Sequence, residues 1–318
     1  MIVMAKESLV KEHVDVVIVG AGPAGLTAAL YASRANLKTV MIEQGLPGGE
    51  VNNTADVENY LGYPLISGPE LAEKMYQSAM VFGVDHVMGQ VTKIDIEGEA
   101  KLVYTSDKCF ISKVLILATG CQHRKLGLDS EMRLNGKGVS YCAVCDGFFF
   151  RDKDLVVVGG GDSAVEEATY LTQFASKVTI IHRRDQLRAQ KLLQDRAFNH
   201  PKIHFIWDSV VEEVVGDQAV EAVRIKSLKD QKDSLVPCQG VFIYIGLVPN
   251  TSLVTSLGIC DEEGWIITNE RMETSIPGVF AVGDVRQNTL RQIATAVGDG
   301  SRAGHQAYLY LQEMDANK

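Results

Sequence analysis

A chain of 318 residues, 46% hydrophobic and 22% charged, is long enough for two ordinary domains with a core each and has the composition of a globular protein. Its formal net charge of -9 argues against nucleic acid or an anionic membrane surface as partner, and no apolar run reaches the roughly 20 residues of a membrane helix. Six cysteines, only two of them closely paired, do not form a secreted disulfide framework. The segment from Met1 to His13 has too short an apolar part for a signal peptide and carries Lys6, Glu7, Lys11 and Glu12, so a cytoplasmic enzyme is the expectation.

Val14 to Val19 reads as a buried strand that ends at Gly20-Ala21-Gly22-Pro23-Ala24-Gly25, with a helical pattern following to about Arg34. A strand, a GxGxxG turn and a helix make a pyrophosphate cradle, because glycines let backbone approach phosphate and the helix N-terminus faces its charge. A second strand, Thr39 to Ile42, delivers Glu43 roughly 20 residues on, where it can accept hydrogen bonds from a ribose. Pro47-Gly48-Gly49-Glu50 and Val57-Glu58-Asn59-Tyr60 read as loops on composition. Leu71 to Phe82 has helical spacing, and Val87 to Ile96 with Ala100 to Ser106 reads as an antiparallel ribbon. Val114 to Ala118 is a further buried strand, and Thr119-Gly120 reads as a crossover into a second domain.

Tyr141-Cys142-Ala143-Val144-Cys145-Asp146-Gly147 is a CxxC with an acid directly behind it. Two such cysteines can close a small disulfide ring, and the neighbouring carboxyl can move the protons that dithiol chemistry needs. A structural zinc site would need four ligands, and there is no second CxxC or close His pair. Cys109, Cys121, Cys238 and Cys260 are scattered singly and read as inert.

Beyond it, Leu155 to Val158 and Gly159-Gly160-Gly161-Asp162-Ser163-Ala164 repeat the first pattern. One ungapped shift superimposes Gly20 on Gly159, Gly22 on Gly161, Gly25 on Ala164 and Glu43 on His182, which is followed by Arg183, Arg184 and Arg188. Cations in place of the ribose-binding acid favour a 2′-phosphate, so this site is expected to prefer NADPH to NADH. The first site is then left to FAD, which links a two-electron donor to a disulfide. Phe242 to Gly246 reads as a strand and a second crossover, making the second domain an insert. Val279 to Asp284 is a strand ending in Gly-Asp, and Arg291-Gln292 precedes a helix from Ala294 to Leu311, where these donors can stabilise charge on a reduced flavin.

From Val14 to about Leu311 these motifs, with Val57-Glu58-Asn59 and Ala118-Thr119-Gly120, occur in the order in which the low-molecular-weight thioredoxin reductases have them, and the chain resembles that family. The resemblance implies an α/β fold of two Rossmann-like, three-layer ββα domains, the second inserted in the first. Residues 1–118 and 246–318 would bind FAD, and 119–245 would bind NADPH and carry the CxxC. It implies a homodimer that passes electrons from NADPH through FAD and the Cys142/Cys145 disulfide to thioredoxin, the insert rotating about Ala118 to Gly120 and Ile245-Gly246. Cys145 would be the sulfur nearer the flavin and Asp146 the proton donor. FAD would be held by Gly20, Gly22, Pro23, Ala24, Gly25, Glu43, Gln44, Gly49, Glu50, Asn59, Gly120, Gly283, Asp284, Arg291, Gln292 and Ile293. NADPH would be held by Gly159, Gly161, Asp162, Ser163, Ala164, His182, Arg183, Arg184, Arg188, Ile245 and Gly246; no metal is expected.

One departure is Glu50, where the family usually has Gln; an ionised carboxylate donates no hydrogen bond, so an altered flavin potential is expected. Rival readings are a reductase of another small dithiol carrier, glutaredoxin-like or peroxiredoxin-linked, and a flavin-binding redox sensor without steady turnover. The flavoprotein of alkyl hydroperoxide systems typically carries an extra N-terminal region, and related ferredoxin reductases lack the CxxC.

Overall fold

Every residue of Val16–Val19 is buried, and successive side chains of a strand point to opposite faces, so this strand needs an apolar cover on both sides. The computed structural model, which describes residues 9–54, 56–288 and 290–316 and all their side chains except those of Asp56, Val144 and Cys145, supplies both covers. The strand lies at the centre of a parallel sheet in the order Val279–Ala281, Val114–Leu117, Val16–Val19, Thr39–Glu43 and Asp85–Met88. Val16, Ile18, Val114 and Ile116 face the helices Pro23–Arg34 and Ile293–Ala316 through Ala24, Ala28, Ala32, Ala303 and Ala307. Val17, Val19, Leu115 and Leu117 face the other way, onto Ile94, Val103 and Phe110 of a second sheet. Burying such an aliphatic side chain contributes about 2 kcal/mol, before chain entropy is set against it.

The two helices lie close because small residues line their contact. A Cβ on Gly300 would come within 2.2 Å of the Ala24 carbonyl oxygen, and one on Gly304 within 2.7 Å of that of Ala28. Proline starts the first helix at a position that has no amide partner to lose, and Ser67 caps helix Gly68–Met80 by accepting from the Glu70 N–H at 3.3 Å.

The chain divides into two compact units. One runs to Cys121 and resumes at Pro249; the other is Gln122–Val248. The second repeats the layering of the first. Its parallel sheet has the order Val139–Ser140, Gly240–Tyr244, Asp154–Gly159, Lys177–Ile181 and Ile203–Ile206. Helices Asp162–Leu171 and Lys191–Phe198 pack on one face around Leu155, Val157, Val178 and Ile180. An antiparallel sheet of Ser209–Val215, Ala222–Ser227 and Asp233–Pro237 covers Val156, Val158 and Ile181 on the other. Both units are Rossmann-like α/β folds in three layers.

Within the first unit the crossings run side by side: Thr119 Oγ1 donates to the Asn250 carbonyl at 2.8 Å and Asn250 Nδ2 returns to that of Thr119 at 2.9 Å. Within the second, the Arg124 N–H donates to the Gly246 carbonyl at 2.8 Å. Gly120 and Gly246 both have positive φ, 64° and 119°.

Two elements differ from expectation. The expected strand Val87 to Ile96 is two strands: Asp85–Met88 closes the parallel sheet, whereas Lys93–Glu97 pairs antiparallel with Ala100–Tyr104. Apolar residues on both sides of Gly89 made one continuous pattern out of two elements in different layers. Val10–His13, in a segment read only for its charges, is a partly exposed strand beside Lys108–Ser112; an edge strand with so little burial shows no apolar alternation. Helix boundaries also move, from Leu71–Phe82 to Gly68–Met80 and from Ala294–Leu311 to Ile293–Ala316.

Candidate active site

In the first unit, the strand Val16–Val19 ends at Gly20, whose φ of 105° and approach to the Ala118 carbonyl oxygen, 2.3 Å from an added Cβ, exclude any other residue. A Cβ on Gly25 would lie 2.0 Å from the Gly20 oxygen, so the helix seats directly on the turn. Gly22 between them has open space where a Cβ would be, which leaves its backbone free to meet a ligand. Glu43 is bound to this turn: Oε2 accepts from the Ala21 N–H and Oε1 from the Gly45 N–H, both at 2.8 Å. The carboxylate is thereby aimed at the cradle while keeping acceptor capacity.

Pro47 to Glu50 is more than a loop. The Gly48 N–H donates to the Ala21 carbonyl at 2.7 Å, and a Cβ on Gly49 would stand 3.2 Å from Gly22 Cα. Gln44 and Glu50 are exposed.

The Gly-Asp turn is held against the same helix. A Cβ on Gly283 would lie 2.9 Å from that of Ala24, and the Gly283 N–H donates to Asp299 Oδ2 at 3.2 Å. Asp299 also lies 3.2 Å from Arg286 Nε. Burial pushes the Asp284 carboxyl up to about 6, with Arg291 opposing and Asp299 and Glu50 adding to the shift. The Cys121 thiol is pushed up to about 12, first by burial and then by Asp284, so it is inert. The Arg291 guanidinium lies over the Trp265 ring, 3.9 Å from its centroid, and its buried Nε has no hydrogen-bond partner among the described residues. Asn59 Nδ2 donates to Gln292 Oε1 at 3.0 Å, immediately before helix Ile293–Ala316. A buried donor in need of an acceptor beside an open glycine cradle fits a flavin dinucleotide.

In the second unit, Gly159 has φ 151° and an added Cβ would be 2.2 Å from the Tyr244 carbonyl oxygen, the counterpart of Ala118 in the first. Gly161 again opens onto space. Asp162 is engaged within the chain, its Oδ1 accepting from the Gln190 N–H at 2.7 Å and Oδ2 from Gln190 Nε2 at 3.1 Å. The Arg188 N–H donates to the Gly160 carbonyl at 2.7 Å, which brings Arg188 back to the glycine turn. Arg183, Arg184 and Arg188 are exposed, and no ion pair among the described residues engages them. His182 is placed differently from its neighbours. It is 4% exposed, lies where a Cβ on Gly160 would meet its ring at 2.5 Å, and packs edge-on against Trp207. Burial, and then Arg188, Arg183 and Arg184, lower its basicity, so a neutral imidazole floors the turn beneath the three guanidinium groups.

The CxxC turn belongs to this second unit. Cys142 is disulfide-bonded, whereas Cys109, Cys121, Cys238 and Cys260 are free. The Cys145 side chain lies outside the described residues. Ser140 Oγ accepts from the Cys142 N–H at 3.0 Å, and Tyr244 Oη accepts from that of Ala143 at 2.9 Å, opening the helical turn Ala143–Asp146. Beside it, Tyr141 Oη donates to Glu131 Oε1 at 2.5 Å. Glu131, with no exposed surface, also accepts from the N–H groups of Leu126, Gly127 and Leu128. Asp146 is half-buried at the end of the turn.

A family described as pyridine nucleotide-disulphide oxidoreductase matches residues 14–300. The chain belongs to that family. Within it, this oxidoreductase is 56% identical over 301 residues to a thioredoxin reductase of Listeria innocua, covering 94% of each chain. It is 51% identical to the thioredoxin reductase of Bacillus subtilis, covering 94% of this chain and 95% of that one. Among solved structures, a Lactococcus lactis thioredoxin reductase aligns with a TM-score of 0.93 at 53% identity over 94% of this chain and 99% of that one. One from T. acidophilum aligns with a TM-score of 0.89 at 36% identity, over 95% and 99%. The chain is an enzyme of the thioredoxin reductase group, whose chemistry uses a flavin and a nicotinamide nucleotide.

Four residues of the candidate sites escaped the sequence reading: Asp299, Trp265, Glu131 and Tyr244. Asp299 and Glu131 left a signal, each an acid at a position that the surrounding pattern buries. Trp265 and Tyr244 left none, because aromatics in apolar stretches read as ordinary core.

Proposed function

We propose that this enzyme reduces oxidised thioredoxin with electrons from NADPH, passed through FAD and a disulfide between Cys142 and Cys145. The observation that carries the reading is the placing of disulfide-bonded Cys142 in the same unit as a glycine turn overlooked by Arg183, Arg184 and Arg188. The glycine turn of the first unit would hold FAD, whose chemistry links a hydride donor to a disulfide. Glu43 would take the ribose hydroxyls, and the Gly22 backbone the pyrophosphate. Arg291, stacked on Trp265, would place positive charge beside the flavin. Arg183, Arg184 and Arg188 would take the 2′-phosphate, with His182 supporting them from below. Asp146 would return a proton to the dithiol, and Cys145 would be the sulfur that receives electrons from the flavin. A homodimer in the cytoplasm completes the proposal, and among the described residues no helix is long and apolar enough to cross a membrane.

The test is NADPH oxidation by the purified holoenzyme with thioredoxin and a chromogenic disulfide, run beside NADH. Rapid turnover that requires both NADPH and thioredoxin is expected. Flavin reduction without thioredoxin reduction would move the search to another dithiol carrier. Cys142→Ser is expected to abolish thioredoxin reduction, by at least about 1000-fold, while NADPH still bleaches the flavin; loss of both would put the cysteine upstream of the flavin.

A further inference from the structure

Tyr244 closes strand Gly240–Tyr244 and is 7% exposed. Three of its parts touch three parts of the second unit. Its carbonyl oxygen is the atom that leaves no room for a Cβ on Gly159 of the nucleotide turn. Its ring meets His123 edge-on, with centroids 5.5 Å apart. Its hydroxyl accepts the Ala143 N–H at 2.9 Å, inside the Cys142 to Cys145 turn and 101 residues away in sequence.

The Ala143 amide is the first N–H of the short helical turn that follows Cys142, a position from which an uncommitted N–H can stabilise a thiolate. The hydroxyl occupies that donor. Burial raises the phenol's own pKa, and the nearby charges of Glu167 and Asp146 raise it further, so it remains a neutral acceptor. Glu167 comes from helix Asp162–Leu171 and Asp146 from the redox turn itself, so both elements packed around the hydroxyl present it with an acid.

We propose that Tyr244 is a positioning residue for the dithiol: by engaging the Ala143 amide it holds the redox turn to the end of the nucleotide-binding strand and withholds that donor from the sulfur charge that reduction creates. The proposal rests on the reading of Cys142 and Cys145 as the redox pair. Its test needs neither NADPH nor thioredoxin, so the two fail separately.

The full-length holoenzyme is reduced with dithiothreitol, desalted, and alkylated with iodoacetamide across pH, and the midpoint of the rate profile is read. Tyr244→Phe keeps the ring and frees the amide, so its midpoint falls by about one pH unit, roughly a tenfold larger thiolate fraction on the rising limb. Ala143→Pro removes the donor at the first position of the turn, where proline fits, and its midpoint stays at the wild-type value. Adding Tyr244→Phe to Ala143→Pro then changes nothing further. An unmoved midpoint in Tyr244→Phe, or an equal fall in both backgrounds, overturns the proposal, since a packing role alters melting temperature without that pattern. Should Tyr244→Phe not fold, Ala143→Pro decides alone. A midpoint raised by a unit would show that the amide already serves the sulfur, overturning the proposal, and an unmoved one upholds it.

Discussion

The two glycine turns of this chain share a backbone and differ in what stands at the end of the second strand. In both, the first glycine is pressed against a carbonyl at the C-terminal end of a neighbouring strand, at 2.3 Å from an added Cβ for Gly20 and 2.2 Å for Gly159, and the second opens onto space. At the end of the second strand, Glu43 binds the Ala21 and Gly45 amides in one turn, whereas in the other His182 is buried under Gly160 and leaves the surface to Arg183, Arg184 and Arg188. The comparison separates two jobs. On the proposed reading, making a phosphate cradle demands a fixed steric arrangement, and choosing the nucleotide is left to one short segment that the arrangement does not constrain.

The hardest way to break the shared part is to add a methyl group to either first glycine. Gly20→Ala and Gly159→Ala each combine a left-handed φ with a collision against backbone, and each is expected to cost about 3–5 kcal/mol of stability, read by denaturant unfolding. Gly20→Ala should emerge without its flavin; Gly159→Ala, if recovered folded, should be yellow but slow to be bleached by NADPH. Identical phenotypes would deny the turns separate ligands.

Replacing Arg183 and Arg184 together by alanine sharpens the difference between the turns. Each charge-assisted hydrogen bond to a 2′-phosphate is worth about 1.5–3 kcal/mol, so the KM for NADPH is expected to rise at least about tenfold while that for NADH stays put. Equal effects on both coenzymes would show that the arginines do not read the 2′-phosphate.

A smaller effect belongs to Asp284, in the turn held against the first helix. Its folded-state pKa of about 6 lies above the usual 3.8, so between those values the folded chain binds the proton that the unfolded chain has released. Its contribution to stability therefore falls as pH rises through that window and is most favourable at the acid end. Asp284→Asn should remove this component. The melting temperature of the variant relative to wild type, measured on flavin-free protein, should climb from about pH 4 to 6 and level off above; a flat difference would mean that burial does not raise this carboxyl.

The smallest expected change is at Glu50, an exposed acid whose charge reaches Asp284 and Cys121. With FAD bound as proposed, removing this screened negative charge in Glu50→Gln should raise the flavin potential by about 10–20 mV in a spectroscopic redox titration. An unchanged potential would confine Glu50 to the surface of the loop.

Much of this was readable in the chain itself, because the relevant physics is local. Val16 to Val19, the glycines after them and the helix they open follow from hydrophobic runs and steric need within a dozen residues, and the ungapped repeat placed His182 opposite Glu43 before any coordinates. The CxxC with its adjacent acid led to the expectation of a redox pair, and the structure has Cys142 in a disulfide. Local pattern also misled where two elements abut: Val87 and Ile96 lie in different layers, and only pairing partners tell them apart.

What tertiary structure alone decided are the contacts between segments far apart in sequence. The Asp299 carboxylate under Gly283, Trp265 beneath Arg291, Tyr244 on the Ala143 amide and the burial of His182 among exposed arginines each depend on where a sheet brings its strand ends. No periodicity encodes those meetings. A hydrogen bond or a ring contact is settled within a few tenths of an ångström, whereas a sequence pattern specifies only which face of an element is apolar and where the chain must turn.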